Sequence, residues 1–292
     1  MNIVKNDVIK GIVLGLMIVT VLTIIVLIYI INKMKEDMLF NPRKREADHN
    51  LRIQKYVINK LIENNPHLKV KNKFIKMDND RININIIENN KTDKWIFYCH
   101  GNSGDIYTTY KYFNELSKIA SIFTFDYRGY GVSTNRPTVK NIKEDVLFSW
   151  NYMINELKID TSKVVIMGLS LGGAIVIYLA EYLSLNKKKL PIALISESSF
   201  SSVIDIARYR YPMISSLSLF LTDSFNSYES LKNIDMKIKI LICHSKEDDY
   251  IPIEHAKKLL SSRASINFYK LYGEHDRHSI DSGYLNRINE LY

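Results

Sequence analysis

The sequence predicts an α/β architecture, with a mostly parallel central sheet, helices on both of its faces and an N-terminal transmembrane helix ahead of it. Three observations predict this. From about residue 95 onward, short β-branched apolar runs alternate with longer helical stretches, the pattern of strands buried on both sides. One such run, Val164-Val165-Ile166-Met167, ends in Gly168-Leu169-Ser170-Leu171-Gly172-Gly173 and passes into Ala174 to Ala180, which reads as a helix. Gly11 to Asn32 is an uncharged run dominated by Ile, Val and Leu.

At 1.5 Å per residue that run spans roughly 33 Å, enough to cross the hydrocarbon core. A buried core helix shows a polar stripe, and this run has none. A cleaved signal peptide has a shorter apolar stretch ending in small residues, whereas this one ends in Ile30-Ile31-Asn32-Lys33-Met34-Lys35. The expected division is a tail (1–10), a transmembrane anchor (11–32), a tether with a lead-in helix (33–66) and a folded α/β domain (67–292) carrying a lid-like insertion at 198–236. Lys5 and Lys10 precede the span; Lys33, Lys35, Arg43, Lys44 and Arg45 follow it, partly offset by Glu36 and Asp37. This Lys/Arg excess leans the α/β domain toward the cytosol. In a lumenal domain, Asn90-Lys91-Thr92 would be a glycosylation acceptor.

The domain opens with a hairpin, in which Lys73 to Met77 and Ile82 to Ile87 flank Asp78-Asn79-Asp80. Strands follow at Trp95–Cys99, Ser121–Phe125, 164–167, Ile192–Ile195, Ile238–Cys243 and Ile266–Leu271, with helices expected over Tyr107–Ile119 and Val139–Leu157. The insertion is rich in Tyr, Phe, Leu and Ser, and its run from Arg208 to Leu221 reads as helices over the strand ends, where open α/β sheets place their sites. It reads either as a lid or acyl-chain wall, or as an ordinary crossover with extra core.

Composition narrows the function. The 46% hydrophobic and 24% charged residues fit a folded domain plus one apolar segment. The net charge of +9 invites a nucleic-acid reading. Yet the basic residues are scattered, with no aromatic-basic stripe or recognition-helix pattern, so a juxtamembrane cluster beside anionic lipid is the simpler account. Cys99 and Cys243 end apolar strands and read as buried thiols, not a disulfide framework.

The chemistry centres on Ser170. A strand, a Gly-x-Ser-x-Gly turn and a helix make the context of a nucleophile elbow, and with only 11 glycines in 292 residues the match is not compositional noise. A serine hydroxyl needs an imidazole to accept its proton, and the imidazole needs a carboxylate to fix its tautomer. Both should follow residue 170 at later strand ends. Past the strand ending at Cys243, Glu247, Asp248 and Asp249 offer the acid. Asp249 is suited to cap the next helix, Glu247 reads as a solvated neighbour, and Glu197, ending the preceding strand, is the fallback.

Of the seven histidines, His49 and His67 precede the sheet, His100 and His244 suit loop hydrogen bonds, and His255 starts a helix. His275, just after Gly273, is the better base, with His278 expected on the first turn of the C-terminal helix. His275, Asp276 and His278 lack a further ligand at metal spacing, so no metal is expected, and no cofactor. Charge developing on the substrate oxygen requires donors. The Leu171 N–H and the N–H of Asn102, in the turn His100-Gly101-Asn102-Ser103-Gly104, fill that role.

In combination, His100-Gly101-Asn102, Asp126-Tyr127-Arg128-Gly129-Tyr130-Gly131-x-Ser133, Gly168-Leu169-Ser170-Leu171-Gly172-Gly173 and Asp248-x-x-Ile251-Pro252 resemble the α/β-hydrolase superfamily, and more narrowly its membrane-anchored abhydrolase-domain proteins. The match covers about residues 70 to 290. It implies the α/β-hydrolase fold, Ser170 as nucleophile, Asp248 as acid, His275 as base, and Asn102 and Leu171 at the oxyanion hole. It also gives the Tyr-Arg-Gly-Tyr-Gly loop a structural role, with Arg128 bracing the floor of the site. Thr134-Asn135 stands where a glycine is common, and Ser245 where His-Gly is usual. The expected function is hydrolysis of acyl esters or thioesters, on lipids or acylated proteins at the bilayer. A peptidase of the same fold and a non-catalytic membrane-tethered scaffold are the alternatives; the first usually needs an additional sieving domain, and an intact triad argues against the second.

Overall fold

The computed structural model describes residues 2–42, 47–210, 224–275 and 280–292. The chain divides into two units, Met1–Leu39 and Phe40–Tyr292. The first is a single helix, α1 (Asn2–Leu39). Within it, Lys10–Ile30 has a mean hydropathy of 3.0, and its apolar side chains from Ile12 to Ile30 are exposed all round. A helix with no polar face gains nothing from water, so its length and composition suit a bilayer. The helix extends beyond the predicted 11–32 in both directions; on the C-terminal side the flank Lys33-Met34-Lys35-Glu36 and Met38-Leu39 consists of good helix formers.

The second unit starts with α2 (Ala47–Asn64), the lead-in helix, which buries Leu61. The hairpin β1 (Leu68–Met77) and β2 (Asp80–Asn89) pairs antiparallel in full register from Leu68–Asn89 to Met77–Asp80. Its two-residue connection puts Asp78 at φ 51°, a left-handed conformation that Asp tolerates. The sheet continues with β3 (Trp95–Cys99), β4 (Ser121–Phe125), β5 (Val164–Leu169), β6 (Ala193–Glu197), β7 (Lys239–Ser245) and β8 (Ile266–Leu271). The strand order is β1-β2-β4-β3-β5-β6-β7-β8, antiparallel through β2–β4 and parallel from β4 to β8. The predicted mostly parallel sheet with an antiparallel edge is therefore the one observed.

The central strands are buried on both faces, which explains why they read as unbroken apolar runs. Strand β3 shows both faces at once. Phe97 stacks on Phe123 and meets Trp150 of α4 (Val139–Asn151) edge-on, while Tyr98 on the opposite side meets Phe113 of α3 (Tyr110–Leu116) at 5.2 Å. The second face also receives Tyr284 and Ile288 of α9 (Ser282–Asn289).

Two predicted helices are shorter than expected. Over 107–119, the helix starts only at Tyr110, because the Asp105 carboxylate accepts the N–H groups of Tyr107 and Thr108 and holds the preceding residues in a turn. Over 139–157, α4 gives way after Asn151 to one π-helical turn, Tyr152–Glu156. In the insertion, α6 (Val203–Arg210) and α7 (Ser227–Asn233) are described. The expected helical run from Arg208 to Leu221 lies outside the described residues beyond Arg210, as do Asp276 and His278.

Candidate active site

The site forms where β5 turns into α5 (Leu171–Leu185). Ser170, the single residue between them, has φ 57° and ψ −117°. An L-residue adopts such a backbone only when its surroundings impose it, at about 1–3 kcal/mol. The surroundings are visible. The Ser170 N–H donates to the Glu197 carbonyl at 2.8 Å, and its carbonyl accepts from the Ser199 hydroxyl at 2.7 Å and the Gly173 N–H at 3.0 Å.

The glycines of the motif are required by space. A Cβ at Gly168 would lie 2.1 Å from the Gly172 carbonyl oxygen, and one at Gly172 would lie 2.0 Å from that of Cys99. Sequence dictates the elbow because only glycines let strand, helix and β3 approach this closely.

Two loops complete the constellation. His275 follows β8, and its Nε2 lies 2.9 Å from Ser170 Oγ. Its Nδ1 lies 2.9 and 3.1 Å from the two oxygens of Asp248, just past β7. The carboxylate can only accept, so Nδ1 donates to it, and in the neutral ring this leaves the Nε2 lone pair facing the serine O–H. The side chain of Asp248 is fully buried, that of His275 is partly exposed at 15%, and Ser170 is 8% exposed.

Burial alone would raise the Asp248 carboxyl. The hydrogen bond and charge of His275, with the Ile251 N–H, outweigh it and hold the group below the usual carboxylate range. Behind it, burial pushes the His244 imidazole down, and its Nε2 donates to the Ile251 carbonyl at 2.8 Å.

The remaining carboxylates do other work. Asp249 does not cap α8 (Ile253–Leu260), whose N-cap is Pro252 with no side-chain hydrogen bond; instead its Oδ1 accepts the His275 backbone N–H at 3.3 Å. Glu247 is not merely solvated, since it accepts from the Ser245 hydroxyl and the Gly273 N–H and so ties the acid loop to the base loop. Glu197 is wholly buried beneath the elbow, with the hydroxyls of Tyr112 and Tyr284 donating to Oε1. Burial pushes its carboxyl up to about 7, despite those two donors.

The proposed oxyanion donors flank the serine. Leu171 is the first residue of α5, so its N–H has no partner within the helix. The turn carrying Asn102 touches the elbow: a Cβ at Gly101 would stand 3.6 Å from Ser170 Cβ. That turn is held from the Tyr-Arg-Gly-Tyr-Gly loop, with Tyr127 donating to the His100 carbonyl at 2.8 Å and Tyr130 to Asn102 Oδ1 at 2.6 Å. Arg128 joins the same loop to α4 through Asp145 and Glu144, at 2.6 and 2.7 Å. Sequence reasoning missed Tyr250, whose ring lies 5.2 Å from that of His275, and Asn41, whose N–H donates to Asn102 Oδ1 at 2.9 Å. No periodicity or motif marks either one.

Comparison with known proteins agrees with this architecture. Residues 94–212 match the α/β-hydrolase fold family. An uncharacterized protein of Acanthamoeba polyphaga mimivirus is 30% identical over 277 residues, 89% of this chain and 92% of its own. An uncharacterized membrane protein of Saccharomyces cerevisiae is 28% identical over 178 residues, 59% of this chain and 60% of its own. Among solved structures, an esterase of Pyrococcus furiosus superposes with a TM-score of 0.64 at 15% identity, covering 87% of this chain and 97% of that one. A strained serine between strand and helix, a sheet of this order and a matching central segment converge on one conclusion: the chain belongs to the α/β-hydrolase family.

Proposed function

We propose that this protein is a membrane-anchored serine hydrolase that cleaves acyl esters or thioesters carried on lipids or on acylated proteins. One observation carries the reading: Ser170 Oγ, on a strained turn, lies 2.9 Å from the Nε2 of an imidazole whose Nδ1 is bonded to a buried carboxylate. In the proposed reaction Ser170 attacks the acyl carbonyl carbon while its proton passes to His275 Nε2. Asp248, ionised and buried, stabilises the resulting imidazolium. The N–H groups of Leu171 and Asn102 hold the oxyanion. On collapse the bond to the leaving oxygen or sulfur breaks and His275 returns the proton to that atom. Water, deprotonated by His275, then adds to the acyl-enzyme, and release of the acid restores Ser170.

The substrate class rests on α1, whose Lys10–Ile30 segment suits a bilayer, and on the Tyr- and Phe-rich composition of the insertion. The test is fluorophosphonate labelling of the membrane fraction, competed by a panel of esters and thioesters. Acyl lipids or acylated peptides are expected to compete more strongly than soluble short-chain esters and amides. The opposite ranking discards the lipid-borne class while leaving the serine chemistry intact.

A further inference from the structure

The side chain of Asn102 has an arrangement that the general chemistry of the site does not require. Its Oδ1 accepts two hydrogen bonds, from the Tyr130 hydroxyl at 2.6 Å and from the backbone N–H of Asn41 at 2.9 Å. These three groups form one cluster, since the Asn41 N–H also approaches the Tyr130 oxygen. Tyr130 is fully buried, and its ring packs against those of His100 and Tyr127, so its hydroxyl is fixed in place. Asn41 is held by the preceding residue: Phe40 is only 4% exposed, although it is the first residue after α1. An amide oxygen clamped by two donors cannot rotate. Pinned at its far end, the side chain restrains the Asn102 Cα and with it the turn that carries its peptide N–H.

On the reading that Asn102 N–H is an oxyanion donor, we infer that the Asn41 backbone N–H is a positioning group for the oxyanion hole, making the stretch that joins α1 to the catalytic unit a working part of the active site. The sequence separation is 61 positions, so the contact ties turnover to the seating of a segment remote from every catalytic motif. Unseating it frees Asn102 Oδ1 from one of its two donors and lets the turn after β3 relax away from Ser170. The group acts through Asn102 and touches no substrate.

Proline at 41 deletes this donor, whereas alanine keeps it. The experiment uses the full chain in detergent, with p-nitrophenyl butyrate turnover and the rate of fluorophosphonate labelling as readouts. Asn41→Pro is expected to lower kcat and the labelling rate about fivefold, the worth of one neutral hydrogen bond, with KM within about twofold. Asn41→Ala should match the wild type. In an Asn102→Ala background, Asn41→Pro should have no further effect, because the acceptor is already gone.

Should Asn41→Pro fail to fold, Phe40→Ala unseats the segment without deleting a donor and is expected to show the same loss and the same dependence on Asn102. Unchanged labelling in Asn41→Pro, an equal loss in Asn41→Ala, or a loss that persists in the Asn102→Ala background overturns the inference while leaving the hydrolase reading standing. A wild-type chain that neither labels nor turns over sinks both.

Discussion

The hydroxyl of Ser170 and the imidazole of His275, 105 positions apart along the chain, lie 2.9 Å from one another. The parallel sheet makes this possible: β5, β6, β7 and β8 run side by side, so the loops leaving their carboxyl ends share one edge. Ser170 leaves β5, Asp248 leaves β7 and His275 leaves β8.

The choice among the acids is directly testable. Asp248 receives His275 Nδ1 and is buried, whereas Asp249, among the described residues, meets the backbone N–H of the same histidine. Asp248→Asn is expected to lower kcat by about 10³–10⁴-fold, because an amide favours the wrong imidazole tautomer. Asp249→Asn keeps the acceptor oxygen and should stay within about threefold of wild type. Steady-state kinetics on a chromogenic ester separates the two; equal losses contradict the assignment.

Gly172 is required by space and Gly283 is not. A Cβ at 172 would sit 2.0 Å from the backbone oxygen of Cys99, which cannot retreat without moving β3. At 283 the nearest atoms are 3.3 Å away, at the tips of Asp281 and Tyr269. Thermal unfolding should show Gly172→Ala destabilised by on the order of 3 kcal/mol or more, and Gly283→Ala changed by less than about 1 kcal/mol.

Glu197 gives stability a pH dependence of predictable sign. Its buried carboxyl titrates at about 7 in the folded chain, against an ordinary value of 4.5. The folded state therefore holds the proton more tightly. The stabilisation is complete below about pH 4.5 and is lost as pH rises through 7, at up to ~1.4 kcal/mol per pH unit. Glu197→Gln removes this titration. Denaturant melts between pH 5 and 8 should find the difference, wild type minus variant, falling with pH; a flat difference contradicts the buried, proton-holding carboxyl.

The charge pattern makes a prediction about orientation. Five Lys or Arg follow the apolar run within its flanking residues and two precede it, so the catalytic unit is expected on the cytosolic side. Asn90, in the turn after β2, is exposed and begins Asn90-Lys91-Thr92, so it reports on the alternative. Expressed in a eukaryotic cell, the chain is expected to show no glycan shift and to be digested by protease added outside intact microsomes. Glycosylation at Asn90 reverses the orientation.

The strands of the catalytic unit were legible because burial on both faces writes them as β-branched runs, and Ser170 because tight packing demands glycine at 168 and 172. Helix ends were less so. The shortened start of α3 depends on a turn made by Asp105, and the π-turn after Asn151 leaves no compositional trace. Choosing among Glu247, Asp248 and Asp249 needs side-chain direction, which three adjacent acidic positions do not encode. Asn41 was invisible for a deeper reason: what it contributes is a backbone N–H, the same in every residue but proline.

The central claim, that Ser170 is a nucleophile activated by His275, is tested most directly by fluorophosphonate labelling of the full chain beside its Ser170→Ala and His275→Ala variants. Wild type should label, Ser170→Ala should not label at all, and His275→Ala should label at least about 10³-fold more slowly. Labelling that survives in Ser170→Ala, or proceeds at the wild-type rate without the imidazole, contradicts it.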